Sequence, residues 1–145
     1  MRSAKRAARV REVQERLLQV RVSELEEAAR RRDAVHQARD AWSGRLMEAA
    51  APRQASISSA EWTLWQHWAA FVAGRVAELG NQLDAAERKV EQCREATLDQ
   101  WKWAKTWGML EERAAEEERH CRERREEKDR EEAFLLRLAG ESREG

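Results

Sequence analysis

From Trp62 to Thr97 the chain places an apolar or uncharged residue at alternating steps of three and four: Trp62, Trp65, Ala69, Val72, Val76, Leu79, Leu83, Ala86, Val90, Cys93 and Thr97. This is a heptad ladder sustained over five heptads with no charge on it. An ideal helix drifts against a seven-residue repeat, so so long a strict period is satisfied only when the helix winds left-handedly around a partner. The ladder therefore demands a second helix, and the first question is where in the chain that helix lies.

Composition supplies the next constraint. Of 145 residues, 39% are charged, and there are one Pro, six Gly, no Tyr and two Phe. Such a chain cannot fill a globular core of ordinary thickness. Its apolar residues are periodic, and Ala, Leu, Glu, Arg and Gln favour helix, so an elongated, almost entirely helical, soluble protein is expected. The net charge is zero but unevenly spread: residues 1–60 carry 13 Lys/Arg against 8 Asp/Glu, and the rest 15 against 20. Opposite halves favour folding the first onto the second, an attraction that salt screens. Only Arg2, Lys5, Arg6, Arg9 and Arg11 form an unbalanced basic cluster, which argues against nucleic acid as the main partner.

Helix one is expected over about residues 3–50. Its apolar residues recur at Val10, Val13, Leu17 and Val20, shift through Val22 and Leu25, and resume at Ala28, Val35, Ala38, Trp42 and Leu46, with Arg32 and Arg39 intruding near the seam. Pro52 disfavours helix at Ala51, so the turn falls at about 51–58. Ser58 and Glu61 form a capping box, starting helix two near residue 59; Gly140 suits the left-handed position after a helix and ends it at about residue 139. The fold class is thus all-α: one elongated domain over residues 1–145, an antiparallel two-helix coiled-coil hairpin with a long C-terminal helical overhang. Folding about this turn pairs Leu46 with Trp65, Val35 with Val76, Leu25 with Ala86, Leu18 with Cys93 and Val10 with Trp101. Helix one then runs out near Trp107, and beyond it the second helix is a charged, solvated segment. Glu118 with Arg122 and Glu126 with Arg130 stand at stabilising i,i+4 spacing there.

Little supports catalysis. There is no Gly-rich phosphate loop, Cys-x-x-Cys or His-Glu-x-x-His, and His36, His67 and His120 are scattered. His120 beside Cys121 points ~100° away from it on a helix and has no further ligands at hand. Cys93 and Cys121 lie ~42 Å apart on one helix and cannot form a disulfide within it. An enzyme, a cofactor and a metal site are not expected. Neither is membrane insertion, since the longest apolar run is Trp68 to Ala73 and no apolar segment follows the charged N-terminus. A cytoplasmic location is the simplest reading.

The seven Trp residues are the unusual feature. Trp62 and Trp65 occupy seam positions and read as core packing with Trp42, flanked by Trp68 and Phe71. Trp101 and Trp103 lie off the seam, either as interface anchors or packed on the Val10 and Val13 end, or stacked with Arg6 or Arg9. Phe134, Leu135 and Leu138 share one face near the end of helix two; either the N-terminal residues fold back on it, which their length makes difficult, or another protein covers it, the favoured expectation.

The layout of a basic N-terminus, two helices around a short break and the Arg/Glu-rich run from Leu110 through Glu132 resembles the FliJ/YscO family of type III export stalk proteins. The many Trp suggest a branch serving virulence or plant-associated injectisomes. The resemblance implies the central stalk of a rotary ATPase. A monomeric hairpin would insert its terminal end into a hexameric export ATPase, with Phe134, Leu135 and Leu138 as contacts. The turn end would face an export gate protein through Trp62, Trp65 and Trp68, and secretion chaperones are further implied partners. Trp101 and Trp103 are additional partner-contact candidates. The implied location is cytoplasmic, peripheral to a membrane secretion apparatus. A reading from another class is a self-assembling coiled-coil scaffold, in which the ladder pairs with its copy in a second chain. A basic-arm nucleic-acid binder would instead show salt-sensitive DNA binding that depends on residues 1–11.

Overall fold

The computed structural model describes residues 2–50 and 58–144. It contains two α-helices, α1 (Arg2–Ala50) and α2 (Ser59–Glu144), and the described residues hold no strand. The fold is an all-α, antiparallel two-helix coiled coil. Of the expected turn, residues 51–57 lie outside the described residues. Ser58 caps α2 as its sequence suggests: its hydroxyl accepts the Glu61 N–H at 3.2 Å, and its carbonyl accepts the Trp62 N–H at 3.0 Å. Helix pairing occurs within two compact units, Gln19–Asp99 and the combination of Met1–Leu18 with Gln100–Gly145.

In the Gln19–Asp99 unit, the ladder of α2 is buried as its spacing requires. Val72, Leu79, Leu83, Ala86, Val90 and Cys93 are inaccessible to solvent or nearly so, and Trp65, Ala69, Val76 and Thr97 are half-buried. Burying each Leu side chain contributes about 1.5–3 kcal/mol. Opposite them, Ala28 joins Val90 and Cys93 in one cluster with Leu25 packed on it. The Thr97 hydroxyl, which donates to the Cys93 carbonyl at 2.7 Å, also lies 3.2 Å from the Arg21 carbonyl.

These contacts correct the expected register. Leu25, not Leu18, packs on the cluster that holds Cys93, and Thr97 lies against the Arg21 carbonyl, so α1 is displaced by one heptad from the pairing read from the sequence. A seven-residue slip leaves every seam residue facing the seam, and apolar periodicity alone cannot detect it. The seam of α1 also runs differently. It follows one heptad line through Ala4, Ala7, Arg11, Gln14, Leu18, Leu25, Ala28, Arg32, Val35, Trp42 and Leu46, all at least half-buried, while Arg21 and Arg39 on the same line are exposed. Val13, Leu17, Val20 and Val22, expected on the seam, are exposed.

In the unit of Met1–Leu18 with Gln100–Gly145, the ladder of α2 continues through Gln100, Ala104, Trp107, Glu111, Ala114 and Glu118, all at least half-buried. Its polar members are paired across the seam. The Gln100 amide donates to the side-chain oxygen of Gln14 at 2.6 Å and lies 3.0 Å from the Gln14 carbonyl. The Arg11 guanidinium donates to the Glu111 carboxylate, and to Glu15 at 2.9 Å. Glu15 and then Glu111 hold the Arg11 proton more firmly than in a free guanidinium. The Glu118 carboxylate accepts the Ala4 N–H at 3.2 Å, filling the role of a capping acid in a helix whose first turn has none of its own. Helix α1 therefore reaches Glu118, and the overhang begins there rather than at Trp107. Helix α2 also continues past Gly140 to Glu144, and no described glycine has a positive φ. Without the left-handed conformation, Gly140 does not terminate the helix and its cost of roughly 1 kcal/mol relative to Ala is absorbed.

The register is open to a direct test. Oxidation of Leu25→Cys in a Cys121→Ser background is expected to crosslink to native Cys93, read as a mobility shift on a non-reducing gel, whereas Leu18→Cys stays uncrosslinked; the reverse pattern would restore the other register. A second outcome concerns pH. Hydrogen bonds to its carboxylate, from the α-amino group and then from the Ala4 N–H, lower the Glu118 pKa from its ordinary 4.5, so its contribution is complete above 4.5 and is lost as pH falls through the lower folded value. The NMR resonance of the Ala4 amide should move with a midpoint below 4.5 and become insensitive in Glu118→Gln. A midpoint at or above 4.5 would remove the cap.

Candidate interaction surfaces

The grooves beside the seam are open and lined by mixed charges, such as Arg32, His36, Glu87 and Arg94. Among the described residues no group of three or more His, Cys, Asp or Glu could hold a metal ion. What distinguishes the surface is apolar side chains placed where two helices alone cannot cover them.

The first such place is the end of α2. From Arg119 to Arg143 every side chain is exposed, because α1 ends opposite Glu118. Local ion pairs support this solvated stretch, Arg119 with Glu116 at 3.8 Å and with Glu123 at 4.0 Å, and the His120 ring lies between the same two carboxylates at 3.7 and 3.8 Å. Arg130 donates to the backbone carbonyl of Glu126, so the side-chain pair read from the sequence is replaced by a main-chain bond. The overhang then presents Phe134, Leu135, Leu136 and Leu138 to solvent. Phe134 and Leu138 stand one above the other at i,i+4, with Leu135 beside them.

The second place lies in the Gln19–Asp99 unit, near the start of α2. Trp62 and Trp65 stack, with ring centroids 5.2 Å apart and planes 20° from parallel. Only Trp65 is half-buried on the seam; Trp62 is 45% exposed, so the expectation that both fill the core holds for one. The seam closes from Trp65 onward, and the Trp62 ring covers its neighbour while leaving much of itself in water. Trp42 does not join them. It meets Phe71 edge to face at 6.1 Å, and the Arg45 guanidinium lies 4.7 Å above its ring. Leu64, Trp68 and Phe71 form an exposed stripe at i, i+4 and i+7, with Met47 of α1 also exposed. That spacing was legible in the sequence but was overshadowed by the stronger ladder one step away.

The third place belongs to the unit of Met1–Leu18 with Gln100–Gly145. Trp101 and Trp103 are both exposed, and the partner of the Trp101 ring is Lys105, 5.0 Å from its centroid, not Arg6 or Arg9. Leu110 on α2 and Val13 and Leu17 on α1 are exposed in the same unit. The two α1 residues imitate a seam at helical spacing, one residue before Gln14 and Leu18, which conceals them as surface in the sequence.

No helix among the described residues is long and apolar enough to cross a membrane. Neither a curated protein nor a solved structure matches the chain. The family model described as flagellar FliJ protein matches residues 4–143, both helices and the overhang together, and the chain belongs to that family.

Proposed function

We propose that this protein is the central stalk and escort of a bacterial type III export apparatus, acting in the cytoplasm at the membrane-embedded machinery without entering the bilayer. It binds a hexameric export ATPase through the end of α2 and couples it to an export gate protein. It performs no chemistry of its own: its contribution is to place two kinds of surface at defined positions along helices, and export chaperones are further candidates for binding it.

The observation that carries this reading is the overhang. A single helix exposed on all sides from Arg119 to Arg143 has the width of one helix, about 10–12 Å with side chains, which suits entry into the central opening of a ring. Its side chains carry both signs of charge in close alternation, so it can be surrounded without being held by one dominant electrostatic attraction. Phe134, Leu135 and Leu138 then supply an apolar contact near its end, where a lone helix in water gains nothing from them. For the gate, the exposed aromatic group of Trp62, Trp68 and their half-buried neighbour Trp65 is the candidate contact. Trp101 and Trp103 are candidates for other partners of the apparatus.

Replacing Phe134, Leu135 and Leu138 together with Ser is expected to abolish stimulation of the export ATPase while leaving the helical circular dichroism and the unfolding midpoint nearly unchanged, because none of the three packs on α1. Full stimulation by the folded triple variant would remove the proposed contact.

A further inference from the structure

The antiparallel pair has two unequal flanks. On a heptad helix the residues just before the seam positions form one flank, and antiparallel helices bring like flanks together. The Gln19–Asp99 unit displays this directly: Glu24, Glu27 and Arg31 of α1 line one groove with Lys89 of α2. In the unit of Met1–Leu18 with Gln100–Gly145, the same heptad positions are occupied by Val10, Val13 and Leu17 on α1 and by Trp103 and Leu110 on α2. The seam contacts Arg11 to Glu111 and Gln14 to Gln100 place these residues at matching heights. Val10 is half-buried, and Val13, Leu17, Trp103 and Leu110 are 51%, 42%, 58% and 40% exposed. By heptad position an apolar face thus spans both helices, with Thr106 between Trp103 and Leu110 on α2.

Charge says what could cover it. Around this face stand Arg6, Arg9 and Arg16 of α1 and Lys102 and Arg113 of α2. None of these five cations makes a hydrogen bond or ion pair with the described residues. The carboxylates near them stand at the ends, Asp99 one turn before Trp103 and Glu116 with Glu117 beyond Arg113, and Glu116 is engaged by Arg119 and His120. The opposite flank differs: its Glu12, Glu15 and Glu112 outnumber Lys5 and Lys105, and Glu15 is bound to Arg11. An apolar groove with an unpaired basic rim is complementary to a helix carrying an apolar stripe bordered by Asp and Glu.

We infer that the face formed by Val10, Val13, Leu17, Trp103 and Leu110 docks an acidic amphipathic helix of another protein, which lies in the groove as a third helix. Its apolar stripe covers Leu17 and Trp103, and its carboxylates pair with the surrounding arginines and lysines. The inference does not depend on the overhang binding an ATPase, since none of these residues lies beyond Glu118.

The test uses the full chain and two labelled synthetic helical peptides with the same leucine stripe, one bordered by Glu and the other by Lys, with binding read by fluorescence anisotropy. The Glu peptide should bind at least about ten-fold more tightly than the Lys peptide and weaken as salt is raised. Leu17→Ser with Trp103→Ser should lose that binding while keeping its circular dichroism, as both side chains are exposed. Arg6→Glu, Arg9→Glu and Arg16→Glu together should invert the preference between peptides. Failure of the Glu peptide to bind, equal binding of the two peptides, or binding that survives the Leu17 and Trp103 changes would each overturn the proposal. So would a sedimenting dimer of the chain that is abolished by those two changes, because the face would then belong to a second copy.

Discussion

The seam between α1 and α2 is the constraint on which everything else depends, and it is thin. Each helix can turn only one stripe toward its single partner, and in both units much of that stripe is small: Ala7, Ala28, Ala86, Ala104 and Cys93 are among its most buried members. Small residues let the helices approach closely but remove little area from water, so the apolar seam favours pairing far more than it selects among pairings a heptad apart. Selection falls to the polar contacts. Gln14 with Gln100, Arg11 with Glu111 and the Ala4 amide with Glu118 can all be satisfied together in one register only. A slip of one heptad toward the register expected from the apolar pattern would set Arg11 opposite Ala104 and Gln100 opposite Ala7, and the penalty for an unpaired polar group exceeds the gain from a paired one.

The same division explains how much of the molecule could be read from its sequence. The α2 ladder from Trp65 to Thr97 is legible because its positions are apolar or nearly so, and burial follows it residue by residue. Beyond Thr97 the ladder continues in disguise: Gln100, Glu111 and Glu118 look like members of a solvated face until their partners on α1 are known. On α1 the disguise works in the other direction. Val13, Leu17 and Val20 imitate a seam at helical spacing, whereas the seam one residue away contains Arg11 and Gln14. Both misreadings have the same physical source, a polar residue whose hydrogen-bonding partner lies about a hundred positions away. Together they moved the expected end of α1 from Glu118 to Trp107.

The placement of the binding candidates was legible to the extent that it depended on α2 alone. Phe134, Leu135 and Leu138 are exposed because no length of α1 reaches them, in either register. Trp101 and Trp103 are exposed because they flank a ladder whose period was already known. Trp62 was harder, since its position on the ladder gives its direction and not whether the opposing helix offers anything to pack against. The family match over residues 4–143 is independent of these details and agrees with the pattern that survives them: two helices, one of which outlasts the other.

A two-helix protein has almost no interior in which to hide large side chains, which gives its tryptophans a meaning they would lack in a globular domain. Trp42, Trp65 and Trp107 are half-buried at the seam, while Trp62, Trp68, Trp101 and Trp103 are exposed. An indole in a core contributes roughly 150–250 Å² of buried surface, and the helix partner here has no further surface to offer the exposed four. With zero net charge over the chain, repulsion between copies does little to prevent those surfaces from meeting one another. Local charge must therefore discriminate where net charge does not. Basic side chains beside Trp103, and the alternating ion pairs before Phe134, surround apolar anchors with fields that accept some partners and repel others. On so thin a scaffold, the anchor supplies the attraction and the rim of charge decides what it attracts.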